Sequence, residues 1–294
     1  MTKTQGYITA AAHHPKHLEM AVDLRLSLRA IDPARPCTIV TDQKSAKGRG
    51  ALLKVFEHVH LIPESENYGH SAKLYVAEAS PCAQTLFLDA DCLVLRPLDE
   101  LWSALQGKTF CVPGVYVDNT CMQHHHNYPI AHLCAKFDLS RYYFASSPIF
   151  YFDEAGRSVL HAIRQVYNVE LRNSSVRRWD RNCPPDEIAF AVVGGRENFA
   201  PFPPVQTIIK QPNLPEWTLG RPPHPVFHCT MSPSLDVLAD LMRQVAARRR
   251  AAELPQGSRR HWITKSLYKK SQRGITQALG LPWRAPSLNR RPMR

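Results

Sequence analysis

Asp89 and Asp91 stand two residues apart, after the run Thr85-Leu86-Phe87-Leu88 and before a second apolar run, Leu93-Val94-Leu95. A short, uniformly apolar run that ends in turn chemistry reads as a buried, parallel-type strand. Both carboxylates then sit at the strand's carboxyl end, where open α/β sheets bind ligands. Two carboxylates on one edge repel each other unless a cation lies between them. Hard oxygen donors suit Mg²⁺ or Mn²⁺, and such ions bridge to substrate phosphates. The plain alternative is an acidic turn that caps the next helix.

The elements around this pair follow from periodicity. Gly6–Ala11 reads as an opening strand, and Leu18, Ala21, Val22, Leu24, Leu28 and Ile31 give a helix ended by Asp32-Pro33. Cys37–Asp42 and His58–Ile62 read as further strands, and a helix from Ser71 to Ala79 leads into the Asp-x-Asp strand. Strands alternating with helices through short connections predict an α/β chain, a mostly parallel sheet with flanking helices. Phe144–Phe152 reads as a later strand in which Pro148 marks a start, an edge or a bulge. Pro184-Pro185-Asp186-Glu187 opens a helix in which Asp186 is able to cap.

The motif and its surroundings resemble the GT-A glycosyltransferases, most nearly glycosyltransferase family 8, the glycogenin and lipopolysaccharide-galactosyltransferase group. The likeness rests on Lys73-Leu74, Phe87-Leu88-Asp89-Ala90-Asp91, Leu93-Val94-Leu95 and Asp99-Glu100-Leu101-Trp102. It is close up to Trp102 and looser up to Thr230. It implies a GT-A fold and transfer of a hexose from a nucleoside-diphosphate sugar, UDP-linked, to a hydroxyl acceptor. The acceptor class (glycan, lipid-linked or protein) stays open. It also implies Mn²⁺ or Mg²⁺ held by Asp89, Asp91 and His228, the last standing in Val226-Phe227-His228. Thr9 and Ala10 would line the nucleoside pocket, Asp42 would lie near the base, and Lys73 would meet the diphosphate. Ser146 and Ser147 would contact the donor, in a segment where Ala145-Ser146-Ser147 replaces the family's Asn-Ser-Gly. Asp186 and Glu187 would work at the sugar. The family's Lys-Pro-Trp after the histidine is missing, and Met231-Ser232-Pro233 stands there.

Composition narrows the rest. The chain has 294 residues and a net charge of +12, but residues 1–247 hold 24 Lys+Arg against 24 Asp+Glu. The excess lies in 248–294, with 13 Lys+Arg against Glu253 alone. We therefore expect one catalytic domain over 1–247, divided into a nucleotide-binding half (1–110) and an acceptor and sugar half (111–231). A basic tail over 248–294 would follow, either partly disordered or a helix lying on an anionic membrane surface, with no nucleic acid bound by the body. Eight cysteines without a Cys-x-x-Cys pair, no signal-peptide core and no long apolar run point to a cytoplasmic protein, peripheral on the membrane face at most. Between residues 111 and 143, Cys121-x-x-His124 and His132-x-Cys134 are metal-like spacings, and a histidine-rich acceptor loop is the other reading. Two rivals remain, a nucleotidyltransferase of similar build and a degenerate sugar-nucleotide binder. The first lacks its glycine-rich loop after the opening strand.

Overall fold

The computed structural model describes residues 4–66, 70–176, 183–203, 225–228, 235–256 and 262. Its strands are β1 (Gln5–Ala11), β2 (Cys37–Asp42), β3 (His58–Ile62), β4 (Gln84–Leu88), β5 (Cys92–Val94), β6 (Phe110–Val112) and β7 (Gly114–Asp118). They continue with β8 (His124–His125), β9 (Tyr128–Pro129), β10 (Arg141–Ala145), β11 (Ile149–Asp153), β12 (Ala200–Pro201) and β13 (Val226–His228). The helices that matter here are α1 (Pro15–Ile31), α2 (Gln43–Ala46), α3 (Gly50–Leu53), α4 (Val76–Ala79), α5 (Asp99–Ala104), α6 (Ile130–Phe137), α7 (Arg157–Gln165), α8 (Asp186–Glu197) and α9 (Leu235–Ala251).

Seven strands form the central sheet in the order β12-β6-β11-β4-β1-β2-β3. β1 runs parallel to β2 and β4, β2 to β3 and β6 to β12, while β11 is antiparallel to both its neighbours. The expected mostly parallel α/β sheet is therefore present. The alternation of β4 explains why it sits centrally. Leu86 and Leu88 enter one core with Tyr7, Leu24 and Trp102, whereas Phe87 enters the other with Ile8, Phe150 and Phe190. Each such fully buried side chain contributes about 1.5–3 kcal/mol. Phe87 stacks on Phe150 at 4.4 Å between centroids, which locks β4 against β11. Trp102 donates its indole N–H to the Tyr7 hydroxyl at 3.0 Å, so α5 is anchored under β1.

Six of the seven described cysteines are buried, and burial pushes the Cys37 thiol up to about 12. Among the described residues no helix is long and apolar enough to cross a membrane.

The basic segment is not all surface. Val237, Leu238, Leu241, Met242 and Val245 of α9 pack with Leu93, Phe227 and Trp262. Arg249 and Trp262 are both 0% exposed. Arg249 reaches the Asp23 carboxylate on α1 through Nε and the Glu19 carbonyl through Nη2 at 2.8 Å. Trp262 donates Nε1–H to the other Asp23 oxygen at 2.7 Å. The packed body thus runs past residue 247, and these two side chains are not available to a lipid surface. The rest of the tail, residues 257–261 and 263–294, and the Met231-Ser232-Pro233 segment lie outside the described residues.

Two outcomes follow from the charge pairs on α1. Asp23→Ala removes one of the two carboxylates that hold the Arg249 guanidinium, Glu19 staying at 2.8 Å, and should cost about 1–3 kcal/mol in urea unfolding; no measurable loss would show that the Asp23 pair carries no weight. Glu57 accepts the Cys37 backbone N–H at 2.8 Å and pairs with buried Arg25 at 2.6 Å. Burial alone would raise its carboxyl, but these partners outweigh that and hold it below the usual glutamate range. Its contribution is therefore full above the ordinary glutamate value and fades as pH falls through the lowered one. Glu57→Gln should flatten the acid limb of the stability–pH curve, and an unchanged limb would refute this.

Candidate active site

Asp89 lies just past β4, and Asp91 just before β5. The turn between them closes when the Cys92 N–H bonds to the Asp89 carbonyl at 2.9 Å. The Asp89 N–H bonds to the Pro148 carbonyl at 2.8 Å, so the turn is pinned to the entry of β11. The two carboxylates therefore belong to a turn between two strands, not to a cap of the next helix.

His228 arrives by register. β13 pairs antiparallel with β5, setting Val226 opposite Val94, Phe227 opposite Leu93 and His228 opposite Cys92. The His228 Nε2 consequently lies 3.4 Å from Asp91 Oδ1. Ligand atoms of Asp89, Asp91 and His228 all fall within 4.8 Å of one another. Two carboxylates and an imidazole form a donor set that accepts Mn²⁺ or Mg²⁺. Burial and the neighbouring Asp91 charge raise the Asp89 carboxyl, with Lys73 opposing them. A site in which one carboxylate resists ionisation beside another is a site that favours a further cation, so the residues present fit a divalent ion.

Lys73 sits on a 3-10 turn, Ser71–Tyr75, ahead of α4. Its Nζ lies 2.9 Å from Asp89 Oδ1 and 3.0 Å from Asp186 Oδ2, and it donates to the Ser147 carbonyl at 3.0 Å. Burial works against its charge, but Asp186 and then Asp89 outweigh it and raise its pKa, so Lys73 stays an ammonium. Asp186 does not cap its helix: Pro185 holds the N-cap position without a side-chain bond. The Asp186 carboxylate instead turns to Lys73 and to the Ser147 hydroxyl at 3.1 Å. Glu187 accepts the Ser147 N–H at 3.1 Å through one oxygen and meets His126 Nε2 with the other. Burial pushes the Glu187 carboxyl up, but the hydrogen bond and charge of His126 outweigh it and hold the group below the usual range.

Two glycines explain how the start of α8 reaches this place. A Cβ on Gly194 would lie 2.8 Å from the Tyr143 Cβ, and one on Gly195 2.8 Å from the Arg141 carbonyl. The bare helix face lets α8 lie directly on β10, and its first turn then meets Ser147, just beyond that strand. Tyr167, in a π-turn over Val166–Leu171, accepts the His70 N–H at 2.8 Å and donates to the Pro184 carbonyl at 3.2 Å. It joins the Lys73 segment to the one that leads into Asp186. Nothing in the sequence marked Tyr167.

Other expected residues are placed differently. Asp42 ends β2, yet its carboxylate is 1% exposed and accepts from Ser45 N at 2.6 Å and His13 N at 2.5 Å. Thr9 is 0% exposed, and its hydroxyl has no partner among the described residues. Ala10 and Ser146 are half-buried. The Cys121/His124 and His132/Cys134 spacings do not assemble. His124 is exposed and Cys134 packs in the apolar core, and the histidines that converge are His125 and His126, with Glu187.

No protein-family model matches the chain, and no curated protein matches it in sequence. Solved structures do. WbbM, described as a bifunctional glycosyltransferase, matches with TM-score 0.55 and 12% identity over 84% of this chain and 50% of that one. The chain thus spans half the length of that protein. The galactosyltransferase LgtC, solved with donor and acceptor sugar analogues, matches with TM-score 0.53 and 13% identity over 88% of this chain and 99% of that one. The fold is that of the GT-A glycosyltransferases. Within this GT-A frame Lys73, Asp89, Asp91, Ser147, Asp186, Glu187 and His228 converge, and each comes from a segment far from most of the others in sequence.

Lys73→Met would leave Asp89 and Asp186 facing each other without their cation. We expect a loss of about 3–5 kcal/mol in metal-free urea unfolding, and recovery of part of it when Asp186→Asn is added. Additive losses in that double-mutant cycle would show that Lys73 and Asp186 do not interact.

Proposed function

We propose that this chain is a metal-dependent glycosyltransferase that moves a hexose from a nucleoside-diphosphate sugar, UDP-linked, to a hydroxyl acceptor. The observation that carries the reading is the β5–β13 register, which sets His228 beside Asp91 at the end of β4 in a GT-A fold. Asp89, Asp91 and His228 would hold Mn²⁺ or Mg²⁺. Such an ion, when bound, neutralises charge on the departing diphosphate.

This chain's own groups do the rest. Lys73 adds a second fixed positive charge at the same edge and would act on the diphosphate as a point charge, since its N–H groups already go to Asp89, Asp186 and Ser147. Asp186 is fixed by Lys73 and the Ser147 hydroxyl, so its orientation does not depend on substrate. From there Asp186 and Glu187 accept sugar hydroxyls and oppose positive charge that builds at the anomeric carbon. No nucleophile is assigned. Ala10 and Ser146, half-buried, remain the accessible members of the nucleoside and donor set, with Thr9 and Asp42 shaping the pocket from behind. The acceptor is a glycan, a lipid-linked sugar or a protein, and the basic residues beyond 256 would bring the enzyme to an anionic membrane surface.

Thermal unfolding against a panel of nucleotide sugars, with and without Mn²⁺, tests this. A donor at about 100 times its dissociation constant adds about 2.7 kcal/mol. A rise in Tm for one UDP-hexose that needs Mn²⁺ and vanishes in Asp89→Asn/Asp91→Asn is expected. A donor shift indifferent to metal, or retained in the double variant, would remove the metal role. Absence of sugar transfer or donor hydrolysis despite a metal-dependent shift would mark the chain as a sugar-nucleotide binder.

A further inference from the structure

The groups beside the sugar position hold a second set of metal donors. His125, His126 and Glu187 each offer one ligand atom, and these atoms lie within 4.8 Å of one another. His125 is 5% exposed. Its Nδ1 is 2.8 Å from the Tyr142 hydroxyl, and its Nε2 faces Glu187 Oε2 at 3.9 Å. When Nδ1–H donates to the Tyr142 oxygen, the lone pair sits on Nε2, toward Glu187. A bond of this kind on the far ring nitrogen is what fixes a metal-binding histidine in its tautomer and orientation.

The backbone is arranged for the same end. His125 pairs with Tyr128 in a two-residue hairpin whose central residues, His126 and Asn127, have φ of 49° and 72°. Both are left-handed, as a type I′ turn demands, and asparagine suits such a position while histidine tolerates it less readily than glycine. The turn brings the His126 Nε2 onto the same Glu187 oxygen that His125 faces. The other Glu187 oxygen is held by the Ser147 N–H, so the carboxylate cannot swing away. Charge favours occupation too: Asp186, next to Glu187 in sequence, is paired with Lys73 at 3.0 Å, whereas Glu187 meets only imidazoles among its described ion-pair partners.

We propose that His125, His126 and Glu187 bind a second divalent cation of the zinc class. Two imidazoles and one carboxylate suit Zn²⁺ with one coordination position open. This site differs in chemistry from the Asp89, Asp91 and His228 set, which is richer in oxygen, and shares no ligand with it; it does take Glu187 from the sugar-facing pair, so with the cation bound Asp186 alone serves the sugar.

Zn²⁺ binding to the full chain, followed by calorimetry and by metal content after gel filtration, tests the site. Co²⁺ serves as the coloured stand-in whose visible bands report a low-coordinate, histidine-bound ion. Wild-type protein should bind two Zn²⁺, Asp89→Asn/Asp91→Asn one, and His125→Ala one, with the histidine-type Co²⁺ bands lost only in the last. His126→Ala is the second variant, because that side chain is half-buried and its loss leaves the core intact. It should weaken the second Zn²⁺ at least tenfold with an unchanged circular dichroism spectrum. A wild-type chain that binds one Zn²⁺, lost in the aspartate variant, overturns the proposal, as does unchanged zinc affinity in His126→Ala. Because the two sites are removed by different substitutions, failure here leaves the Asp89/Asp91 site to stand or fall separately.

Discussion

One ammonium group holds this site together. Lys73 Nζ is about equidistant from Asp89 and Asp186, and a carbonyl from Ser147 completes its surroundings. Taking a carboxylate out of water costs several kcal/mol per ion even after relaxation, so neither aspartate would be placed there alone. A contact near 3 Å at an effective dielectric of 20 returns about 5 kcal/mol, which offsets that cost only because Lys73 serves both. The consequence is structural. The 3-10 turn at Ser71–Tyr75, the end of β4, the 146–148 link and the start of α8 must all meet at one point, or a charge is left unpaired. The glycine-faced contact of α8 on β10 and the Tyr167 bridge are the packing devices that let them meet.

A lysine held this way is a different tool from a free surface lysine. Its charge is permanent over any working pH, since the flanking carboxylates hold the proton on it. It is also fixed in position, with its side chain over the Phe87 ring at 5.2 Å. Electrostatic help to a developing anion is largest when the charge needs no reorganisation. Phe87 thus has two duties: it stacks on Phe150 to set the sheet, and its ring lies under the lysine.

The parts legible in the sequence are those fixed by local period. β1, β2, β3, α1 and the Asp-x-Asp strand are short-range patterns; β2 and β3 have the expected ends, and the others lie within three residues of theirs. The convergence of Lys73 with Asp186 was not legible, since it depends on a helix that lies flat on β10, which only Gly194-Gly195 hinted at. Asp186 reads locally as a cap because Pro-Asp-Glu is helix-start chemistry; Pro185 takes the cap position, and the buried lysine draws the carboxylate away from the helix end. The histidine loop misleads for a similar reason. Cys121-x-x-His124 and His132-x-Cys134 have metal-like spacing, but α6 turns Cys134 inward to the core, and the left-handed turn at His126-Asn127 sends His125 and His126 to Glu187 instead.

The basic end of the chain shows how composition alone can mislead about a surface. Arg249 counts toward a positive tail, yet it is spent on Asp23, and Trp262 shares that carboxylate from the other side. Trp262 also packs on Phe227, at 6.4 Å between rings. Successive strand residues face opposite ways. Phe227 therefore points into the α9 cluster, and His228 points back toward Asp91. β13 has three residues, too few to hold a histidine in place by its own ladder of hydrogen bonds. The α9 cluster supplies what the strand lacks: with Phe227 clamped between Leu93 and Trp262, the imidazole is set by packing on the side away from the site. The position of a prospective metal ligand is in this way tied to an arginine and a tryptophan that never approach the metal.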